Sequence, residues 1–375
     1  MSIPPCFLNW LAKLARTFVL FIGIFTITRF LFRTFLALVE TLVLPGKSLK
    51  KFGAGKGAWA VVTGASDGLG KEFALQLASA GFNILLVARN QAMLSDVADE
   101  IARRTEGRAE SKIYLIDFVR NDPNTLNGLE ILLRSLDVGV LVNNVGLSYS
   151  LMSYFVESRE QENDDIITVN INAMLRVTRA ILPGMVQSKR GLILNIGSFA
   201  GLIPTPLLAI YSGSKAFVST FTSALAEEVK KHNIIVQYLN TYYVVTKMSN
   251  IRKSSFMVPM PDAYVHAALS KIGLACGAAM TDSPNTLTPY WSHALLNYYI
   301  YMVGWKAAFI SGRHTTLNNI RRRALLRREI PGLNGVARPN ALSTWLMVGS
   351  VIGDDVLSSN SWYTTQIGSK GTQYT

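Results

Sequence analysis

The chain has 375 residues, 49% of them hydrophobic and only 16% charged, with a net charge of +13 and a mean hydropathy of +0.26. A charged fraction well under the usual ~25% points toward membrane contact, and the basic surplus toward an anionic surface or substrate. Two cysteines, Cys6 and Cys276, and four scattered histidines exclude a disulfide framework and a histidine-spaced metal site, and fit a reducing compartment.

Residues 1–44 read as an N-terminal membrane anchor. The stretch from Thr17 to Leu44 is largely apolar but is interrupted by Arg29, Arg33 and Glu40. Its unbroken part, Thr17 to Thr28, has the length of a signal-peptide core, yet no small-residue cleavage site follows and the apolar pattern continues. An uncleaved anchor is therefore expected, spanning the bilayer or lying in its interface with the arginines snorkelling. Residues 45–56 form a basic linker beginning "PGKSLKKFG", suited to an anionic membrane face.

From 57 to 280 the pattern alternates between short apolar runs and helix-period segments. Strands are expected over 58–63, 83–88, 112–117, 138–143, 191–196 and 234–240, and helices over 70–80, 91–104, 161–187 and 213–231. This alternation predicts an α/β fold, a Rossmann-type doubly wound parallel sheet with helices on both faces. Past 280 the sheet pattern is expected to stop, leaving 281–330 as a membrane-associated apolar segment with a basic cluster, "IRRRALLRR" at 320–328. Within it, residues 289–310 suit a second span, a re-entrant element or an amphipathic helix on the membrane. No arginine-rich repeat, zinc-finger spacing or aromatic RNA-binding signature accompanies the basic charge, so no nucleic-acid partner is expected. The tail, 331–375, is Ser/Thr/Gly-rich and is expected to be poorly ordered.

The chemistry-bearing motifs lie at the ends of the expected strands. "VVTGASDGLG" follows the first strand and opens a helix. Gly64, Gly68 and Gly70 give TGxxxGxG there, where glycines permit a tight turn and a helix N-terminus faces a pyrophosphate. At the end of the second strand, where an NAD site wants an acid, the sequence is "VARN". Arg89 instead suits the 2′-phosphate of NADPH. Asp117, closing the third strand, suits either the adenine amino group or a turn cap. Asn143 and Asn144 in "LVNNVG" are expected to hold loop backbone close to the cofactor. Asn170 and Asn172 follow on a long helix, Ser198 lies just past the fifth strand, and "YSGSK" places Tyr211 and Lys215 on one helix face.

In order and spacing, TGxxxGxG, NNVG, the asparagine of the long helix, the serine after the fifth strand and Y-x-x-x-K resemble the short-chain dehydrogenase/reductase family, over roughly 57–280. The segments "GAWAVVTGASDGLGKEFA", "ILNIGSFAGLIPTPLLAIYSGSKAF" and "TPYWSHA" are similar to its microsomal 3-oxoacyl-CoA reductase branch, which serves very-long-chain fatty-acid elongation and thereby sphingolipid precursor supply. The resemblance implies NADPH-dependent reduction of 3-oxoacyl-CoA to 3-hydroxyacyl-CoA. It implies that Tyr211 is the proton donor, that the Lys215 ammonium lowers its pKa, that Ser198 orients the ketone and that Asn170 supports a water relay. It also implies cofactor contacts from Gly64, Ser66, Gly68, Leu69, Gly70, Arg89, Asp117, Asn144, Tyr211, Lys215, Val244 and Thr246. The family's Pro-Gly before Thr246 is replaced by Tyr242-Tyr243. The implied place is the endoplasmic reticulum membrane, catalytic domain toward cytosol, in contact with lipid and with other elongation enzymes. A membrane-bound steroid or retinoid carbonyl reductase is the nearest alternative, and a catalytically silent scaffold the alternative of another class.

Overall fold

The computed structural model describes residues 5–279, 281, 283–304 and 306–329; the expectation for 331–375 lies outside them. Among the described residues, those up to Lys306 form one compact unit and those from Ala307 another. The first opens with α1 (Pro5–Leu42), then alternates β1 (Trp59–Thr63), α2 (Gly68–Ser79), β2 (Asn83–Ala88), α3 (Gln91–Thr105), β3 (Ser111–Leu115), α4 (Pro123–Ser135) and β4 (Val138–Asn143). Next come α5 (Glu160–Ile167), a π-helical turn (Thr168–Ala173), α6 (Met174–Ser188), β5 (Gly191–Ile196), α7 (Phe199–Leu202), α8 (Ala209–Val229) and β6 (Ile234–Leu239). α9 (Pro261–Ser270), β7 (Thr286–Leu287) and α10 (Trp291–Val303) complete it. α11 (Lys306–Glu329) carries the basic cluster.

The seven strands pair in the order β3-β2-β1-β4-β5-β6-β7, all parallel. Alternation along each strand divides the core in two. Ala60, Val62, Ile84 and Leu86 pack with Phe73 and Leu77 of α2, Val97 and Ile101 of α3, and Tyr264 and Val265 of α9. Val61, Leu85 and Val87 face the other way, onto Leu126 and Leu129 of α4, Ile181 of α6 and Val229 of α8. Parallel strands covered on both faces leave little polar alternation, as their sequences show.

Two expectations are corrected. The third strand ends at Leu115, so Asp117 lies in the following loop, where its Oδ1 accepts from Val119 N at 3.1 Å. The sheet does not stop at 280: Tyr238 N donates to Asn285 O and Asn240 N to Leu287 O, each at 2.9 Å, adding β7 at the edge. A two-residue strand has no periodicity to read. The apolar stretch 289–310 is also broken, α10 ending at Gly304 with φ +72°. Among the described residues one helix, over Asn9–Leu42, is long and apolar enough to cross a membrane.

Candidate active site

The crevice lies at the C-terminal ends of the strands, where the order reverses between β1 and β4, the place such sheets bind ligands. Thr63 ends β1 and ties the two strands together. Its hydroxyl donates to Val142 O at 3.3 Å and accepts from the backbone N–H of Asn144 and Val145 at 3.0 and 3.1 Å. The Asn144 amide donates to Thr63 O at 2.9 Å and Gly64 O at 3.1 Å. It thus holds the glycine-rich turn against the loop after β4, while Asn143 turns inward to Thr178 and Asn195 at 3.0 and 2.8 Å.

The glycines have local steric reasons. Gly64 and Gly68 take φ of +67° and +56°, the left-handed region. A Cβ on Gly70 would lie 2.1 Å from Gly64 O. The turn is therefore folded on itself, opening the N-terminus of α2 toward the crevice, with Ser66 half-buried in it and Leu69 packed on the core. Asp67 caps α2, accepting from Gly68 N at 2.8 Å, and its other oxygen pairs with Lys247 at 2.9 Å. The loop after β6 consequently lies over the turn: Val244 is buried, and the methyl of Thr246 would sit 3.2 Å from a Cβ on Gly68. Arg89 is exposed immediately past β2. This arrangement fits a dinucleotide: a helix N-terminus able to meet a pyrophosphate and, just past β2, an exposed guanidinium able to pair with a phosphate.

Tyr211 and Lys215 share the first turns of α8, with the Lys215 ammonium 6.0 Å from the Tyr211 ring centre. Lys215 is buried and donates to Ile196 O, the last carbonyl of β5, at 2.8 Å. Asn170 sits in the π-helical turn, a feature frequent at functional sites. Its amide clasps both backbone groups of Leu147, at 2.7 and 2.9 Å, and donates to Ser214 at 2.9 Å. A Cβ on Gly146 would stand 3.5 Å from Asn170 Oδ1 and 3.7 Å from Lys215 Nζ. The backbone at Gly146 therefore runs close beside both groups. Asn172, the other asparagine of the turn, is exposed.

Ser198 caps α7, its hydroxyl accepting from Ala200 N at 3.1 Å. What fixes it was hidden from sequence reasoning. The buried Tyr238 hydroxyl donates to Ser198 O and accepts from Ser198 N, both at 2.7 Å. Its ring fills the space above Gly197, where a Cβ would come within 2.0 Å. Beside it, Tyr242 packs on Phe199 at 5.0 Å and on His293 of α10 at 5.7 Å. Tyr242, itself 4.7 Å from Tyr243, thus joins Phe199 and His293 in one aromatic cluster. Burial pushes the His293 imidazole down to about 4, so it is neutral at physiological pH, with Nε2 bonded to Met257 O at 3.0 Å.

Burial also pushes the Lys215 ammonium from 10.5 down to about 8. Between those values the unfolded chain holds the proton that the folded chain has lost, so stability rises with pH across this window. This contribution is complete above about 10.5 and is lost as pH falls through about 8. Urea midpoints of the ligand-free protein should therefore climb over that range, and Lys215→Met should remove the climb. A variant that retains the wild-type slope would show that the slope arises elsewhere.

Comparison with known proteins agrees with this geometry. The family model described as short chain dehydrogenase matches residues 58–255. A "Very-long-chain 3-oxoacyl-CoA reductase" of Coprinopsis cinerea is 56% identical over 84% of this chain and 92% of its own. A protein of the same name from Laccaria bicolor is 54% identical over 83% and 92%. Among solved structures, a short-chain dehydrogenase from Sphingobium yanoikuyae in complex with NADPH covers 75% of this chain and all of its own, with 25% identity and a TM-score of 0.53. A protein from Beutenbergia cavernae described as a "putative NAD(P) dependent gluconate 5-dehydrogenase", with NADP bound at low occupancy, is similar at 27% identity and a TM-score of 0.53, over 63% of this chain and 97% of its own.

Proposed function

We propose, from the premise that this chain belongs to the short-chain dehydrogenase family, that it reduces very-long-chain 3-oxoacyl-CoA to 3-hydroxyacyl-CoA with NADPH. The observation that carries this reading is the 54–56% identity to reductases of that name, spread over five-sixths of the chain rather than confined to the cofactor half. The placing of Ser198, Tyr211, Lys215 and Asn170 around the end of β5 supports it.

When bound, NADPH supplies a hydride to the ketone carbon. Negative charge then develops on the ketone oxygen, and Tyr211 delivers a proton there. Ser198, fixed through its backbone by Tyr238, keeps its hydroxyl proton to donate to the same oxygen. Lys215 supplies positive charge beside the phenol while it stays protonated, so turnover should fall as pH rises past about 8. Asn170 and Lys215 both lie beside Gly146, a placement that suits a water-mediated route by which Tyr211 is reprotonated. The turn Gly64–Gly70, with Ser66 and Leu69, holds the pyrophosphate; Arg89 holds the 2′-phosphate and Asp117 the adenine. Asn144, Val244 and Thr246 line the nicotinamide side.

Arg89 gives the cofactor reading its test. Arg89→Asp should raise KM for NADPH by about 10- to 100-fold, the worth of one charge-assisted contact, while changing KM for NADH little. Equal loss with both would sink the 2′-phosphate role.

Helix α1 anchors the protein to a membrane. Lys13 and Arg16 precede its unbroken apolar run, and Arg29 and Arg33 follow it, placements from which their side chains reach the two interfaces. Arg29, Arg33, Lys47, Lys50 and Lys51 lie on the side of that run leading to the catalytic body, which supports a cytosolic body on the endoplasmic reticulum. A lipid surface and neighbouring elongation enzymes are the partners this placement suits. The basic charge at Arg252 and Lys253, in the loop after β6, suits the polyanionic CoA head.

A further inference from the structure

Helix α10 has two faces of opposite character. At ~100° per residue, Trp291, Leu295, Tyr299 and Met302 fall on one side, and all four are exposed. The other side is turned into the body and uses polar groups to grip it. Ser292 donates to Phe256 O at 2.7 Å, His293 bonds Met257 O at 3.0 Å, and Asn297 donates to Gly277 O at 3.0 Å. The Phe256 ring, 60% exposed, lies 6.3 Å from Trp291 and extends the apolar face onto the loop between β6 and α9. No Asp, Glu, Lys or Arg occurs in the helix. Its length of about 20 Å is too short to cross a hydrocarbon layer of about 30 Å.

What covers this face follows from its neighbour. Toward its C-terminus α1 joins the body: Ala37 and Thr41 are buried, Lys271 donates to Glu40 O at 3.0 Å, and Cys276 N donates to the Glu40 carboxylate at 3.0 Å. Before Thr34 the helix is exposed and apolar, with Phe18, Val19, Leu20 and Phe21 each more than 60% accessible. Thr34, next to Arg33, hydrogen-bonds the hydroxyl of Tyr298 on α10. α10 therefore meets α1 where the latter passes from its lipid-type surface to its docked end. Trp and Tyr on a short, uncharged outer face are the composition of a bilayer interface.

We propose that α10 is an interfacial helix. Its Trp291–Leu295–Tyr299–Met302 face lies in the headgroup–acyl boundary of the bilayer that α1 enters. Its inner face holds the Phe256–Met257 segment, so the loop after β6 is kept at the lipid surface. The inference rests on the reading of α1 as a membrane anchor and deepens the reading of a lipid-tailed substrate, since an acyl chain entering beside this loop need not cross water.

The test uses the full chain in phosphatidylcholine–phosphatidylserine vesicles, with Cys6→Ser and Leu295→Cys labelled by an environment-sensitive fluorophore. Met302→Cys serves as a second site, and Ile131→Cys, on α4 and 71% exposed, as a control. The label at either α10 site should shift to the blue and lose more intensity to nitroxides near the headgroup than to nitroxides at the acyl ends. The control should respond to neither. An unshifted label puts the face in water, and a blue shift without quenching puts a second copy or another protein on it. Stronger quenching from the acyl ends makes the segment deeply inserted. Any of these three overturns the proposal. None depends on turnover, and NADPH oxidation by the same labelled protein reports separately on the reductase reading.

Discussion

Tyr211→Phe is expected to lower kcat by about 10²- to 10⁴-fold, the range typical of a general acid, with affinity for NADPH essentially unchanged. The phenol stands on the first turn of α8, with the Lys215 ammonium 6.0 Å from its ring centre. Removing one oxygen leaves the ring, the helix and the Lys215–Ile196 bond in place, so the loss should fall on the chemical step. Binding measured by fluorescence and turnover measured under saturating cofactor separate the two. A variant that keeps near-wild-type kcat would remove Tyr211 from the role of proton donor.

Gly197→Ala should be strongly damaging for the addition of a single methyl. The added Cβ would lie 2.0 Å from the Tyr238 ring, and that ring cannot swing away without releasing both backbone groups of Ser198. Overpacking of this kind costs about 1–3 kcal/mol or more, so the urea midpoint should fall markedly. Tyr238→Phe is the gentler companion. It keeps the ring but leaves a buried N–H and C=O without their shared partner, costing about 1–3 kcal/mol. If the phenol positions Ser198, this variant should lower kcat well beyond its effect on NADPH affinity. A parallel fall in stability with unaltered kcat would reduce Tyr238 to packing.

Much of this was legible because parallel strands and glycine turns write themselves locally. β1, β2, β4, β5 and β6 are near-continuous apolar runs, and the turn after β1 is specified by where glycine alone fits. The spacing of Tyr211 and Lys215 is equally local. Tyr238 was not legible, because its partner Ser198 lies on a different strand end and nothing in "VQYLN" signals a downward-pointing hydroxyl. The orientation of α10 was not legible for a related reason. His293 and Asn297 are polar residues within an apolar stretch, yet they are buried, each engaging a backbone carbonyl. The apolar side chains around them include the ones that face outward. The sequence leaves three environments open for such a segment, and the packing of α10 against α1 and the loop after β6 is the basis on which one of them is proposed.

The most direct test of the reductase reading is NADPH oxidation by membranes carrying the full chain, with very-long-chain 3-oxoacyl-CoA as substrate and Tyr211→Phe membranes as control. NADPH should be consumed one-for-one with the appearance of 3-hydroxyacyl-CoA, and the control should lack that activity. No consumption at any acyl length, with turnover of a steroid or retinoid ketone by the same membranes, would contradict it.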